Sequence, residues 1–207
     1  MANFGDLQNE IYLAGLSGVA PSLPMSFAEL ERRAELALPA GTWSYVAGGA
    51  GDEHTQRSNR TAFDHWGVVP RMLRANADRD LSVELFGTTF GTPIFLAPIG
   101  VIGICTQDGH GDLAAARASA ATGVPMVAST LSEDPLEDVA AQSGQTAGFF
   151  QLYCPTDPGV AASLVQRAEA AGYRAIVVTL DTWVTGWRPR DLSTFRSSLP
   201  EPAAEVA

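Results

Sequence analysis

The chain has 207 residues, 46% of them hydrophobic, enough to bury a core but short of the roughly 250 residues of a complete (β/α)8 barrel. Acidic residues outnumber basic ones by 23 to 13 for a net charge of −10, and no Lys/Arg cluster could follow a phosphate backbone, which argues against nucleic acid as a partner. The opening Met1–Asp6 has neither the basic start nor the apolar stretch of a secretory signal, and no run of about 18 apolar residues suggests a membrane span, so a cytoplasmic location is expected. Cys105 and Cys154 lack the paired spacing of a zinc site and are expected to be ordinary buried thiols, with no disulfide and no metal.

Residues 1–90 read as an irregular helical entry region. Ser26-Phe27-Ala28-Glu29 is a capping box, and Leu30, Ala34, Leu36 and Ala37 continue an apolar face at helical spacing, so a helix is expected to begin there. Trp43-Ser44-Tyr45-Val46 then runs into Ala47-Gly48-Gly49-Ala50-Gly51, a loop whose glycines permit close backbone approach, ahead of a polar helix candidate over 52–66.

From residue 94 the texture becomes apolar runs alternating with alanine-rich helices. Strands are expected at 94–97, 124–128, 148–152 and 175–179, with helices near 110–122, 135–142 and 158–171. The strand starts are 30, 24 and 27 residues apart, the βα cadence of a parallel sheet with right-handed crossovers. Eight units of this mean length would need about 216 residues, so 91–194 reads as the first four βα units of an α/β TIM (β/α)8 barrel. A four-stranded open sheet of another class fits the same cadence. Residues 195–207, with Pro200 and Pro202 and no periodic apolar face, read as a disordered tail.

Polar residues at the strand ends are the candidates for chemistry, since a parallel barrel places its site there. Pro98, Ile99 and Gly100 follow the first strand, where a small residue would let backbone amides reach a flat ring, although a plain turn explains them as well. Ser129 and Thr130 end the second strand and offer hydroxyls to the same ring or cap the next helix. Gln151, Tyr153 and Thr179 converge at two adjacent strand ends with donors and acceptors suited to an electron-poor heterocycle. Asp181 could orient a histidine or cap the next helix, and Arg188 could clamp a carboxylate or pair with Asp191. None of His54, His65 or His110 follows an apolar strand, so each is given a surface or capping role rather than that of a base. Both the dinucleotide fingerprint and the P-loop are missing.

Together, Tyr45-Val46-Ala47-Gly48-Gly49-Ala50-Gly51-Asp52-Glu53, Ala97-Pro98-Ile99-Gly100, Phe149-Phe150-Gln151-Leu152-Tyr153 and Thr179-Leu180-Asp181-Thr182 resemble the FMN-dependent 2-hydroxy acid oxidase and dehydrogenase family. Asn3-Phe4-Gly5-Asp6, Pro98 to Gly103 and Thr185 to Leu192 look most like its lactate 2-monooxygenase subgroup, and the likeness covers nearly everything up to Thr194. The resemblance implies FMN as cofactor, a small 2-hydroxy acid and O2 as substrates, and a homo-oligomeric full-length form. It implies that Pro98, Ile99 and Gly100 pack on the flavin, that Thr130 (or Ser129), Gln151 and Thr179 bond its ring, that Tyr45, Tyr153 and Arg188 hold the substrate, and that Asp181 pairs with the catalytic histidine. Gly100 stands where simple oxidases of the family carry alanine, which points to a wider pocket and a monooxygenase outcome.

The family's catalytic histidine segment, flavin-contacting lysine and phosphate-binding glycines do not occur in these residues. The expectation is therefore a truncated and inactive form with an open sheet edge prone to self-association. The alternative is a non-catalytic half that pairs with a separately encoded second half or another partner.

Overall fold

A computed structural model describes residues 5–74, 80–146, 148–181 and 184–194. In chain order its elements are α1 (Asp6–Leu16), α2 (Phe27–Ala37), α3 (Ala40–Ala47), α4 (His54–Thr61) with a 3-10 turn (Ala62–His65), β1 (Val83–Leu85), β2 (Thr88–Phe90), a second 3-10 turn (Ile102–Cys105), α5 (Gly111–Thr122), β3 (Val127–Ala128), α6 (Leu136–Ser143), β4 (Phe149–Tyr153), α7 (Pro158–Ala170), β5 (Ile176–Thr179) and α8 (Pro189–Thr194). They fall into two compact units, Met1–Gly67 with Gly186–Ala207, and Val68–Thr185. The tail expected over 195–207 lies outside the described residues.

In the first unit α2 begins where the capping box predicts, with the Glu29 amide donating to Ser26 Oγ at 3.3 Å. The Glu29 carboxylate, rather than reaching back to Ser26, takes two hydrogen bonds from Arg32 at 2.8 and 2.7 Å. Trp43 to Val46, expected to lead into a loop, lie inside α3. The polar helix over 52–66 is shorter than expected. Glu53 stands before it in the left-handed region at φ 58°, and the helix tightens to a 3-10 turn after Thr61.

The second unit is built on the parallel sheet β3-β4-β5. Val127 pairs with Phe149, Gln151 with Val177, and Tyr153 with Thr179. The strand expected at 94–97 reduces to a single parallel bridge, Leu96 with Met126. Pro93 and Pro98 bracket it, and each removes a donor and restrains the residue before it, so a longer ladder cannot form. Among the described residues no strand pairs with the far side of β5, where Val177, Val178 and Leu180 are exposed.

Alternation along the strands sorts the two faces. Met126, Ala128, Phe150 and Leu152 bury against Ala116, Leu136, Val139 and Ala168 of the helices. Val127 and Phe149 point the other way and pack with Phe90 and Phe95. Phe90 belongs to the hairpin β1-β2, an element inside the stretch expected to be helical. Its turn is Phe86-Gly87, both at positive φ, and the Phe86 ring meets Phe149 edge-on with centroids 5.9 Å apart. The hairpin thus covers the amino-terminal ends of β3 and β4 and leaves their carboxyl ends to polar residues.

Candidate functional site

The second unit gathers its polar residues on the face that Phe149 begins. Gln151 is 1% exposed, and its register partner Val177 and the pair Tyr153–Thr179 lie on the same face toward the carboxyl ends. Gln151 Oε1 accepts from the Ser129 hydroxyl at 3.3 Å and from the Thr130 amide at 3.1 Å. Since a backbone amide can only donate, the oxygen must face Thr130, which fixes the orientation of the side-chain amide. Its nitrogen, Nε2, is then a buried donor with no protein acceptor among the described residues.

Ser129 and Thr130 are committed to holding this arrangement. The Thr130 hydroxyl donates to Gln151 O at 2.5 Å and accepts from the Tyr153 amide at 3.0 Å, and Ser129 Oγ accepts from the Leu131 amide at 3.1 Å. Both hydroxyls therefore answer Gln151, and together they aim its Nε2.

Pro98, Ile99 and Gly100 lie in the loop after Leu96, with Ile99 exposed, and the Val101 amide donates to Leu131 O at 2.9 Å. A Cβ at Gly100 would sit 2.9 Å from Leu131 Cβ, so the space a methyl would take is occupied by Leu131. This gives the glycine a packing reason independent of any pocket width. Thr179 is half-buried at the end of β5, and Asp181 is exposed in the segment that follows.

In the first unit Tyr45 and Arg188 come together. The Arg188 guanidinium carbon stands 4.8 Å from the centre of the Tyr45 ring, and Nη2 donates to the carbonyls of Tyr45 and of Gly48, the latter at 3.0 Å. Arg190 adds a bond from Nη2 to Ala47 O at 2.8 Å and one from Nε to Glu53 Oε1 at 2.5 Å. Two cations thus satisfy the last carbonyls of α3, where the helix dipole favours them. Neither alternative weighed for Arg188 included this use. No ion pair with Asp191 forms, and Nε and Nη1 make no hydrogen bond among the described residues. The close approach expected of the glycine loop is present, since a Cβ at Gly48 would strike Ser44 O and one at Gly49 would strike Gln56 Oε1.

One expectation is corrected. Cys105 and Cys154 are free thiols but exposed rather than buried, because one closes a 3-10 turn and the other follows the last residue of β4. Of the two roles weighed for His110 the structure shows the surface one: it stands exposed before α5 without capping it, and its Nδ1 meets Asp134 Oδ1 at 2.7 Å. Sequence gave no sign of this pair, whose members are 24 positions apart on two loops.

The FMN-dependent dehydrogenase model matches residues 34–206. The chain belongs to this family. The match runs past Thr194, where the sequence reading had ended the likeness. An L-lactate oxidase of Lysinibacillus sphaericus (strain C3-41) is 40% identical over 183 residues, covering 88% of this chain and 47% of that protein. The FMN-dependent alpha-hydroxy acid dehydrogenase qulF of Penicillium citrinum is 39% identical over 191 residues, covering 92% and 47%. Among solved structures, a mandelate oxidase superposes with a TM-score of 0.78 at 39% identity, covering 86% of this chain and 50% of the other. A putative lactate oxidase of Pediococcus acidilactici superposes at 0.79 and 35% identity, covering 86% and 49%. The chain therefore spans about half the length of the curated relatives it matches. FMN is the cofactor of this family, and a flavin ring, with carbonyl oxygens and ring nitrogens as acceptors, fits the unmatched buried donor at Gln151. Among the described residues no helix is long and apolar enough to cross a membrane.

Proposed function

We infer that this chain contributes the ring-binding and carboxylate-binding share of an FMN-dependent oxidoreductase acting on a small L-2-hydroxy acid with O2. Its three parallel strands, with the Leu96–Met126 bridge ahead of them, correspond in this reading to the first half of a (β/α)8 barrel. The finer reading is lactate 2-monooxygenation, in which lactate and O2 give acetate, CO2 and water. The observation that supports flavin binding most directly is Gln151 Nε2, a buried donor aimed by Ser129 and Thr130 and lacking an acceptor among the described residues.

When bound, FMN supplies a two-electron acceptor for the hydroxy acid. Gln151 donates from Nε2 to an acceptor on the ring edge, and Thr179, on the same face, offers its hydroxyl to that edge. Pro98, Ile99 and Gly100 present backbone toward the ring. Within the first unit Arg188 retains Nε and Nη1 for a carboxylate, with Tyr45 stacked against it, and within the second Tyr153 offers a hydroxyl on the face of Gln151. Asp181 is the group that would orient a base and favour its charged form. None of His54, His65 and His110 stands at the carboxyl end of a strand, so these residues alone are not expected to oxidise lactate. The test is a fluorescence titration of the purified 207-residue chain with FMN, followed by L-lactate under anaerobic conditions. Weak binding with the flavin left oxidised is expected. No binding up to about 1 mM flavin would overturn the ring-binding reading, and bleaching by L-lactate would overturn the expectation that these residues alone are inactive.

A further inference from the structure

The loop that carries Ser129 and Thr130 continues to Asp134, and its far end is fastened by two buried carboxylates. Asp134 Oδ2 accepts from the Leu113 amide, in the first turn of α5, at 3.4 Å, while Oδ1 meets His110 Nδ1 at 2.7 Å. Asp112 Oδ2, from the same helix start, accepts from the Glu133 amide at 3.2 Å, and the Ser132 hydroxyl donates to Asp134 O at 2.9 Å. At the near end the loop grips the site through the Thr130 amide on Gln151 Oε1, the Leu131 amide on Ser129 Oγ, and Leu131 O on the Val101 amide. One short segment therefore joins the 98–101 loop, the end of β4 and the start of α5. The side chains of its clasp differ in access: Asp134 is 5% exposed and His110 58%.

We propose that His110 and Asp134 act as positioning residues, a clasp that holds the 129–134 loop so that Gln151 presents its free amide proton. Asp134 is a buried carboxyl group at a helix start, where the Leu113 amide answers one oxygen and, among the described residues, His110 answers the other. Opening the clasp would leave that carboxylate half-answered and free the loop at its outer end. The groups acting on His110 are Asp134 and Asp108, which favour its cation, and Arg117, which opposes it. Asp134, the largest influence, holds the imidazole above its usual range. A raised folded value means that the ionic contact is complete below about pH 6.5 and is lost as pH climbs through the raised value. The clasp is thus open to protons from solvent on its His110 side, while the residues it positions are buried.

Amide hydrogen exchange on the 207-residue chain reads the clasp without any flavin. Its consequence for FMN rests on the function proposed above, but the exchange measurement does not, so failure of the FMN titration leaves the clasp standing. The Thr130 and Glu133 amides report on the loop, and the Phe150 amide, bonded to Ala175 O at 3.0 Å within the sheet, reports on the unit as a whole. In Asp134→Ala, exchange at Thr130 and Glu133 is expected to accelerate about tenfold or more relative to Phe150. In the wild type, protection at these two amides relative to Phe150 should fall as pH rises through the His110 titration, and His110→Gln should flatten that dependence. The His110 ring protons, followed by NMR, should titrate above about 6.5, and below the wild-type value in Asp134→Asn. Equal acceleration at Phe150, an unchanged loop, or a His110 titration at or below about 6.5 would each overturn the proposal. Should Asp134→Ala fail to fold, the wild-type pH series and His110→Gln still decide the matter.

Discussion

Replacing Gln151 by methionine separates its ligand-binding role from its structural one. The substitution keeps an unbranched side chain of similar length and removes both ends of the amide. Loss of Oε1 strands the Thr130 amide, whose position is fixed by the backbone, while the Ser129 hydroxyl can rotate to another acceptor. Loss of Nε2 removes a donor that is already unsatisfied. An unsatisfied buried polar group costs about 1–3 kcal/mol, so exchanging one for another should leave the flavin-free stability changed by no more than about 1 kcal/mol. FMN, by contrast, loses the only side-chain donor at this position that lacks an acceptor, and its dissociation constant should rise about tenfold or more, since about 1.4 kcal/mol corresponds to a factor of ten. Urea denaturation without ligand measures the first quantity and fluorescence titration the second. A loss of more than about 3 kcal/mol without ligand, together with an unchanged FMN affinity, would show that Gln151 is a strut between β3 and β4 and that its free nitrogen recognises nothing.

Two further outcomes follow from local geometry. Gly100→Ala should destabilise the chain by about 1–3 kcal/mol through overpacking, because the new Cβ meets Leu131 while the Val101–Leu131 hydrogen bond holds the two loops in place; an unchanged thermal midpoint would refute this. Glu137, bonded twice by Arg167 at 2.7 and 2.9 Å, has its carboxyl held at about 2 against an ordinary 4.5. A depressed folded value contributes stability that is complete above about pH 4.5 and lost as pH falls toward about 2, so Arg167→Leu should make the acid side of the stability curve shallower. The same acid slope in both proteins would count against the pair.

The helices of the second unit were readable because their signals are local. Asp157 caps α7 through the Gly159 amide at 2.7 Å with Pro158 at the first helical position, and alanine-rich runs supply the rest of α5 and α7. The run at 148–152 forms a strand because both its faces pack, one on helices and one on the aromatic cluster, while that at 175–179 is a strand by its ladder with β4 and leaves Val177 and Val178 exposed. The hairpin went unseen because Phe86-Gly87 lacks the Asn-Gly or Asp-Gly signal of such a turn; what holds Phe86 at positive φ is its ring on Phe149, a contact made across 63 positions. α3 was hidden by the glycines that follow it, since the features that terminate it lie at 188 and 190, on the other side of the chain.

The same distinction between local and distant signals explains the site. Residue types at strand ends marked Gln151, Tyr153 and Thr179; strand periodicity places the first two on one face, and the register of β5 on β4 brings Thr179 to it. What each group does was not readable, because a hydroxyl's role depends on where its proton goes. The Thr130 hydroxyl answers the Gln151 carbonyl, and Arg188 spends one nitrogen closing α3. What remains unmatched among the described residues is Nε2 on Gln151, and Nε and Nη1 on Arg188. Each calls for an acceptor within its own unit, and for Gln151 Nε2 the flavin ring of this family offers carbonyl oxygens and ring nitrogens.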